Sequence, residues 1–206
     1  MQIRPIALLM LALAGAAELR ADAFDDQGNQ LQAQPMPRVF RSVIDDRPRM
    51  LTVILDETRA ISYDTWHAHL GMVWKGEQGN LVKLDSSVYT QKNGPQPEHL
   101  GDIIFDHREP EFTSSLGKVL YMGHAFRDGQ LVLRYGVKNE QFELVATIEE
   151  MPTYQNKTLK RSISVTPASA GASIQFKPAR GISWTQAGKA FSEASLAQPL
   201  SISTTF

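Results

Sequence analysis

The chain has 206 residues, 21 Lys and Arg against 22 Asp and Glu for a formal charge of −1, and 42% hydrophobic residues. This is the composition of a folded protein with a substantial core, not of a disordered one. The balanced charge argues against a dedicated nucleic-acid binder, which needs a basic excess to neutralise phosphates. Cysteine is absent, which removes disulfides, zinc–thiolate sites, iron–sulfur clusters, c-type haem attachment and thiol nucleophiles together.

Residues 1–23 read as a secretory signal. Met1-Gln2-Ile3-Arg4 is a short basic start, Pro5 to Ala17 is almost wholly apolar, and Ala21-Asp22-Ala23 has the small-x-small pattern of a cleavage site. The apolar run falls short of the ~20 residues that span a bilayer, and no later segment approaches that length. The product is therefore expected in the periplasm or outside the cell, with no membrane insertion after signal removal. Residues 24–37 are polar, rich in Gln and close on two prolines, a flexible lead-in to a domain over 38–206.

From Arg38 onward the signals are those of short strands. Val39–Ile44, Met50–Leu55, Ala60–Tyr63 and Leu70–Trp74 are strand-length runs separated by polar turn residues such as Asp45-Asp46 and Asp56-Glu57. A helix over Thr65–Val73 competes for its stretch, because Trp66, Leu70 and Val73 recur at helical spacing. Lys118–Arg127 and Leu131–Val137 flank Asp128-Gly129, the chemistry of a two-residue type I′ hairpin turn. Alternation continues over Gln141–Glu149 (Phe142, Leu144, Ala146, Ile148), over Thr158–Thr166 (Leu159, Arg161, Ile163, Val165), over Ala172–Phe176 and over Leu200–Phe206. About a dozen short strands without a long amphipathic helix predict an all-β protein, an antiparallel β-sandwich in one domain. The terminal Phe206 suggests an outer-membrane barrel strand, but too few ~10-residue alternating segments accompany it.

Three stretches carry a resemblance: Phe40 to Met50, then Ser62-Tyr63-Asp64 with Val73-Trp74-Lys75-Gly76, then Val88-Tyr89-Thr90 with Gly94-Pro95-Gln96-Pro97. Tyr121-Met122-Gly123-His124-Ala125-Phe126, followed by Gly129, Leu133 and Tyr135, extends it through the hairpin, so that it covers about residues 38–165. In order and spacing these resemble an N-terminal region of large secreted bacterial proteins that also carry cytochrome c domains, quinoprotein-type sugar dehydrogenase propellers or glycan-handling modules. The resemblance implies a β-sandwich accessory module with a sugar-linked context. The redox activity of those proteins does not carry over, because this chain lacks any Cys-x-x-Cys-His.

The aromatic candidates for stacking on a sugar ring are Trp66, Trp74, Tyr63 and Tyr89, with Asp64, Lys75, Gln78 and Asn80 near enough in sequence to meet hydroxyls. The competing assignment for both tryptophans is the core, where aromatics dominate; Trp74, inside an apolar run, is the better core residue, and Trp66 the better exposed one. His67-Ala68-His69 places two imidazoles at i, i+2, and Asp64, His99 or His107 could complete a metal set, although no third ligand stands at a diagnostic spacing. No Gly-x-Ser-x-Gly elbow, phosphate loop, zinc-protease helix or nucleotide-binding glycine pattern is present. The paired carboxylates Asp45-Asp46, Asp56-Glu57 and Glu149-Glu150 are read as turn or strand-end residues, and Arg47-Pro48-Arg49 as a turn or an anion grip.

These features predict a secreted, non-catalytic module without cofactor or metal. Trp66, Trp74, Asp64, Tyr89 and Lys75 are its candidate contacts to carbohydrate or to a sugar-processing partner protein. The alternatives are a small sugar-acting hydrolase or lyase using Asp64 with His67 and His69, and a purely structural interaction scaffold.

Overall fold

The computed structural model describes residues 37–83, 97–167 and 173–206. The expected signal and nearly all of the lead-in, Tyr89, and Gly94-Pro95-Gln96 lie outside the described residues. Tight turns organise what is described. Asp45-Asp46 (φ 47° and 60°), Asp128-Gly129 (52°, 74°), Asn156-Lys157 (50°, 60°) and Ala187-Gly188 (48°, 78°) each place two successive residues in the left-handed region. That is the geometry whose twist matches the flanking strands of a hairpin.

Strands β1 (Arg38–Ile44), β2 (Arg47–Asp56), β3 (Arg59–Asp64) and β4 (His69–Lys75) follow one another as antiparallel neighbours. The short pair β5 (Val82–Lys83) and β6 (Glu98–His99) comes next, and β7 (Asp102–Asp106) returns to pair with β4, completing a five-stranded sheet. β8 (Phe112–Ser114) precedes the long strands β9 (Lys118–Arg127), β10 (Gln130–Lys138), β11 (Leu144–Gln155) and β12 (Thr158–Pro167). The chain closes with β13 (Ile174–Phe176), β14 (Trp184–Gln186), β15 (Lys189–Phe191), β16 (Ala194–Ser195) and β17 (Leu200–Thr205). A seven-stranded sheet runs β15-β14-β17-β12-β11-β10-β9, and β8, β13 and β16 form a small third sheet. Among the described residues there is no helix, and the protein is all-β, as its alternation predicts.

The arrangement is sandwich-like. Leu51, Val53, Ile61 and Leu70 of the five-stranded sheet and Leu131, Leu133, Ile148 and Ile163 of the seven-stranded sheet belong to one buried apolar cluster. In β2 the alternate residues Met50 and Ile54 join Ile44, Ala60, Met72 and Trp74 in a second cluster, which Leu81 and Val82 complete. The central strands β2, β3 and β4 are thus buried on both faces, and this explains the helix-like spacing of Leu70 and Val73 within Thr65–Val73. A strand covered on both sides is apolar without interruption, and a continuous apolar run fits a helical period by accident. Thr65 to Ala68 is a turn and His69–Lys75 a strand.

Two further corrections concern β11. The strand expected over Gln141–Glu149 spans Leu144–Gln155, because the Asn139 side chain accepts hydrogen bonds from the backbone N–H groups of Gln141 (3.0 Å) and Glu143 (2.9 Å) and holds a turn there. Phe142, at φ 61°, stays outside the ladder and is 75% exposed. Glu150 is not a turn residue. It lies within β11, in phase with Ala146 and Ile148, and is fully buried.

Its partner is Arg161, equally buried on β12, whose Nε donates to Glu150 at 2.7 Å and whose two terminal nitrogens donate to Glu111 at 2.7 and 2.8 Å. The Tyr63 hydroxyl donates to Glu150 (2.8 Å), and the backbone N–H groups of Leu70 and Ala179 donate to Glu111 (2.8 Å each). One ionic knot thereby ties β3, β4, β11 and β12 together. Burial alone would push the Glu111 carboxyl up; the Arg161 charge and these hydrogen bonds outweigh it and hold the group below the ordinary carboxylate range.

Candidate functional site

Asp64 ends β3 and His69 begins β4, and the two are cross-strand partners closing the β3–β4 hairpin. The Asp64 carboxylate organises the loop: Oδ1 accepts the backbone N–H groups of Trp66 (2.7 Å) and His67 (3.1 Å), and Oδ2 lies 2.9 Å from His67 Nδ1. Ala68, buried at φ 54°, reverses the chain so that His67 and His69, two residues apart, keep their rings 6.1 Å apart. A ligating atom from each of Asp64, His67 and His69 lies within 4.8 Å of the others.

His69 is the inner member. It is fully buried, its Nε2 lies 3.2 Å from the backbone carbonyl of His107, and its Nδ1 has no hydrogen-bond partner. The His107 ring meets it edge-on at 5.6 Å and is itself stacked on Phe105. Burial, only partly offset by the Asp64 and Glu111 charges, lowers the affinity of His69 for a second proton. Burial would raise the Asp64 pKa, but the His67 side chain and the backbone N–H groups of His67 and Trp66 bring it below its ordinary value. His67 is the outer member, with half of its side chain exposed.

Beside the histidines the hairpin carries an aromatic platform. Trp66 is 58% exposed, and the Arg49 guanidinium lies over its ring at 3.8 Å. Arg49 sits at φ 61°, a strained conformation for a non-glycine residue. Its carbonyl accepts both the backbone N–H of Thr65 (3.0 Å) and the Thr65 hydroxyl (2.5 Å), which fixes the hairpin loop against β2. Trp66 and His67 form one wall of an open cavity of about 800 Å³, faced by Phe112, Leu120, Lys138 and Phe142. A volume of that order fits a small organic ligand.

The residues singled out from sequence therefore separate. Trp66 and Asp64 belong to this hairpin, with His67 and His69. Trp74 does not: it is fully buried and donates its indole N–H to the Leu81 carbonyl at 2.8 Å, so no ligand can stack on it. Lys75 is exposed but lies at the far end of β4 from His69, about 20 Å away at strand rise, and pairs with Asp102 at 3.3 Å. Tyr63 is buried in the ionic knot. His99 pairs with Asp45 (2.5 Å) beside Trp74, and Gln78 bonds Glu57. Arg47 is committed to Asp106 (2.8 Å) and the His107 carbonyl (2.8 Å) and is no free anion grip. Sequence reasoning missed Phe142 as a surface aromatic; Asn139 ahead of it, a side chain suited to bonding the next backbone N–H groups, was the available signal.

Comparison with protein-family models, with curated proteins and with solved structures gave no match. Among the described residues no helix is long and apolar enough to cross a membrane.

Proposed function

We propose that the chain is an exported, non-catalytic β-module that binds carbohydrate at the Trp66 platform, in the service of a sugar-processing partner. The observation that carries this reading is an indole left 58% exposed while it lines a cavity of about 800 Å³ and its ring is held by Arg49. Exposing a large apolar ring costs free energy in water, and fixing its orientation reduces the entropy lost when a flat ligand stacks on it. Phe142, 75% exposed on the same cavity, offers a second apolar surface, and Lys138 and Asn139 supply polar groups for hydroxyls.

The test is a glycan array followed by titration calorimetry, with Trp66→Ala and Phe142→Ala beside the parent chain. Binding of an oligosaccharide that Trp66→Ala reduces at least tenfold supports the proposal. No binding across the array, or binding that Trp66→Ala leaves unchanged, overturns it. The convergence of Asp64, His67 and His69 favours one second reading, a small sugar-acting hydrolase or lyase in which Asp64 orients His67 as an acid or base. Release of reducing ends from a polysaccharide, lost in both Asp64→Asn and His67→Ala, would establish it in place of the non-catalytic module.

A further inference from the structure

The five histidines of the chain are used in different ways. His99 is paired with Asp45, and His124 Nδ1 lies 2.8 Å from the Tyr121 hydroxyl. His107 contributes its ring as packing and its carbonyl as an acceptor. His69 is the one whose buried ring has a nitrogen left over. Its Nε2 proton is taken by the His107 carbonyl, so Nδ1 carries the lone pair, and no described group donates to it. A buried acceptor without a donor is costly in a folded protein and calls for an explanation, of which an ion is one.

We infer that Asp64, His67 and His69 are a binding site for a divalent first-row transition ion of the zinc class, with two imidazole nitrogens and one carboxylate oxygen as protein ligands and at least one position open to solvent. This goes beyond the carbohydrate reading and does not depend on it.

The donor set is the first argument. Imidazole with carboxylate suits zinc and its transition-series neighbours, whereas a hard ion such as calcium requires a larger set of oxygens. Outer support is the second. A ligating histidine ordinarily gives its other N–H to a carbonyl or carboxylate, which fixes the tautomer, and His69 does this to a carbonyl that is itself held: the His107 backbone N–H donates to the Gly71 carbonyl at 2.8 Å, and Arg47 donates to the His107 carbonyl at 2.8 Å. Geometry is the third. Ligand atoms on a tetrahedral zinc lie about 3.3 Å apart, from bond lengths of about 2.0 Å. Here Asp64 Oδ2 and His67 Nδ1 are 2.9 Å apart, and one ligating atom from each of the three residues lies within 4.8 Å of one from each of the others. The closure still needed falls on His67, whose half-exposed ring can turn while buried His69 stays fixed.

The arrangement also places the open coordination position. His69 is sealed inside and His67 is on the cavity wall, so the ion would face the cavity beside Trp66. A ligand oxygen there could complete its coordination shell.

The experiment uses the untagged chain stripped with chelator. Zn(II) is titrated by calorimetry, Co(II) is followed by its visible ligand-field absorption, and thermal unfolding is recorded with and without each ion. The expected result is one Zn(II) per chain, a melting temperature several degrees higher, and a Co(II) spectrum of four- or five-coordinate nitrogen–oxygen ligation. His67→Ala, at an exposed position that leaves the fold intact, should weaken Zn(II) by more than the roughly 10–100-fold that loss of an outer-shell partner costs; Asp64→Asn should weaken it by a similar or smaller factor, and His99→Ala and His124→Ala should leave it unchanged. Trp66→Ala should keep the ion, which separates failure of this site from failure of the sugar-binding reading. Absence of Zn(II) binding at micromolar protein, or binding that His67→Ala leaves as tight as in the parent chain, would overturn the assignment.

Discussion

Replacing Arg161 by Met removes the one cation of a fully buried cluster while leaving the carboxylates of Glu111 and Glu150 in place. Methionine fills much of the same volume, so the cost is chiefly electrostatic. Removing one partner of a buried pair typically costs 3–5 kcal/mol, because the remaining charge is stranded, and here two carboxylates are stranded at once. For a chain of this size about 1 kcal/mol corresponds to 2–4 °C, so Arg161→Met should lower the melting temperature by roughly 6–20 °C. Thermal unfolding by circular dichroism measures it. A drop of less than 2 °C would refute the view that the knot holds the two sheets together. The triple variant Glu111→Gln, Glu150→Gln, Arg161→Met removes every charge at similar volume. It should recover at least half of the loss, since an uncharged cluster has no ion to solvate.

The pH dependence gives the sign an independent check. In the parent chain the Glu111 carboxyl titrates below its unfolded value. Its contribution is therefore fully present above the ordinary Glu pKa of about 4.3 and is lost as pH falls through the folded value, so parent stability should decline below about pH 4. Without Arg161 the chief opposition to burial is lost and only the Leu70 and Ala179 N–H groups still oppose it at Glu111, so the Glu111 carboxyl should move from below its unfolded value to above it. The folded state then binds more protons, and Arg161→Met should gain stability as pH falls from 7 toward 5, opposite to the parent. The knot also positions the site: Glu111 accepts the N–H of Leu70, next to His69, and Glu150 accepts the hydroxyl of Tyr63, next to Asp64. A softened knot should weaken ion binding at the hairpin without touching a ligand.

The other expectations are simpler to check. Trp74→Ala should cost about 3–5 kcal/mol by opening a cavity in the second core, whereas Trp66→Ala should leave the melting temperature within about 2 °C and remove ligand binding. Gly129→Val puts a β-branched residue at φ 74° in the β9–β10 turn and should cost more than about 1 kcal/mol in chemical denaturation, although a Cβ there meets nothing within 4 Å. With no cysteine in the chain, dithiothreitol should leave the melting curve unchanged.

Strand identity was legible wherever one sheet face is wet. Along β11 and β12 more and less buried residues alternate, and the turn chemistry at Asp128-Gly129 agrees with the φ values found there. Over β3 and β4, buried on both faces, the strands were read from run length and β-branched content rather than from alternation, and at β4 a helix competed because a period of two fades when both faces are buried. The ionic knot was half visible. Arg161 and Glu150 both fall in phase with inward-facing neighbours, and Arg161 opposes Pro152, two residues from Glu150 along β11, so a pair across the ladder could have been read from alternation and register together. Glu111 could not, since it follows Pro110 in a stretch with no periodicity.

The same contrast separates the two parts of the site. Trp66 was recognisable as exposed, because it stands between Thr65 and His67 in a connection. The histidine pair was visible as residue types, but its relation to Asp64 depends on a hairpin whose four-residue loop makes Asp64 and His69 direct partners, and on Ala68 adopting a positive φ that its side chain does not favour. That local strain is opposed by the two hydrogen bonds Thr65 makes to the Arg49 carbonyl and by the two backbone N–H groups that Asp64 caps. Arg49 is itself strained to provide the carbonyl. Two unfavourable backbone conformations thus meet at one hairpin, held by the Thr65 bonds to β2 and by the Asp64 caps within the loop. Lys157 and Ala187 take the same left-handed conformation in other hairpin turns of this chain, so the β3–β4 loop is set apart by the meeting of Asp64, His67 and His69 on it and not by strain alone.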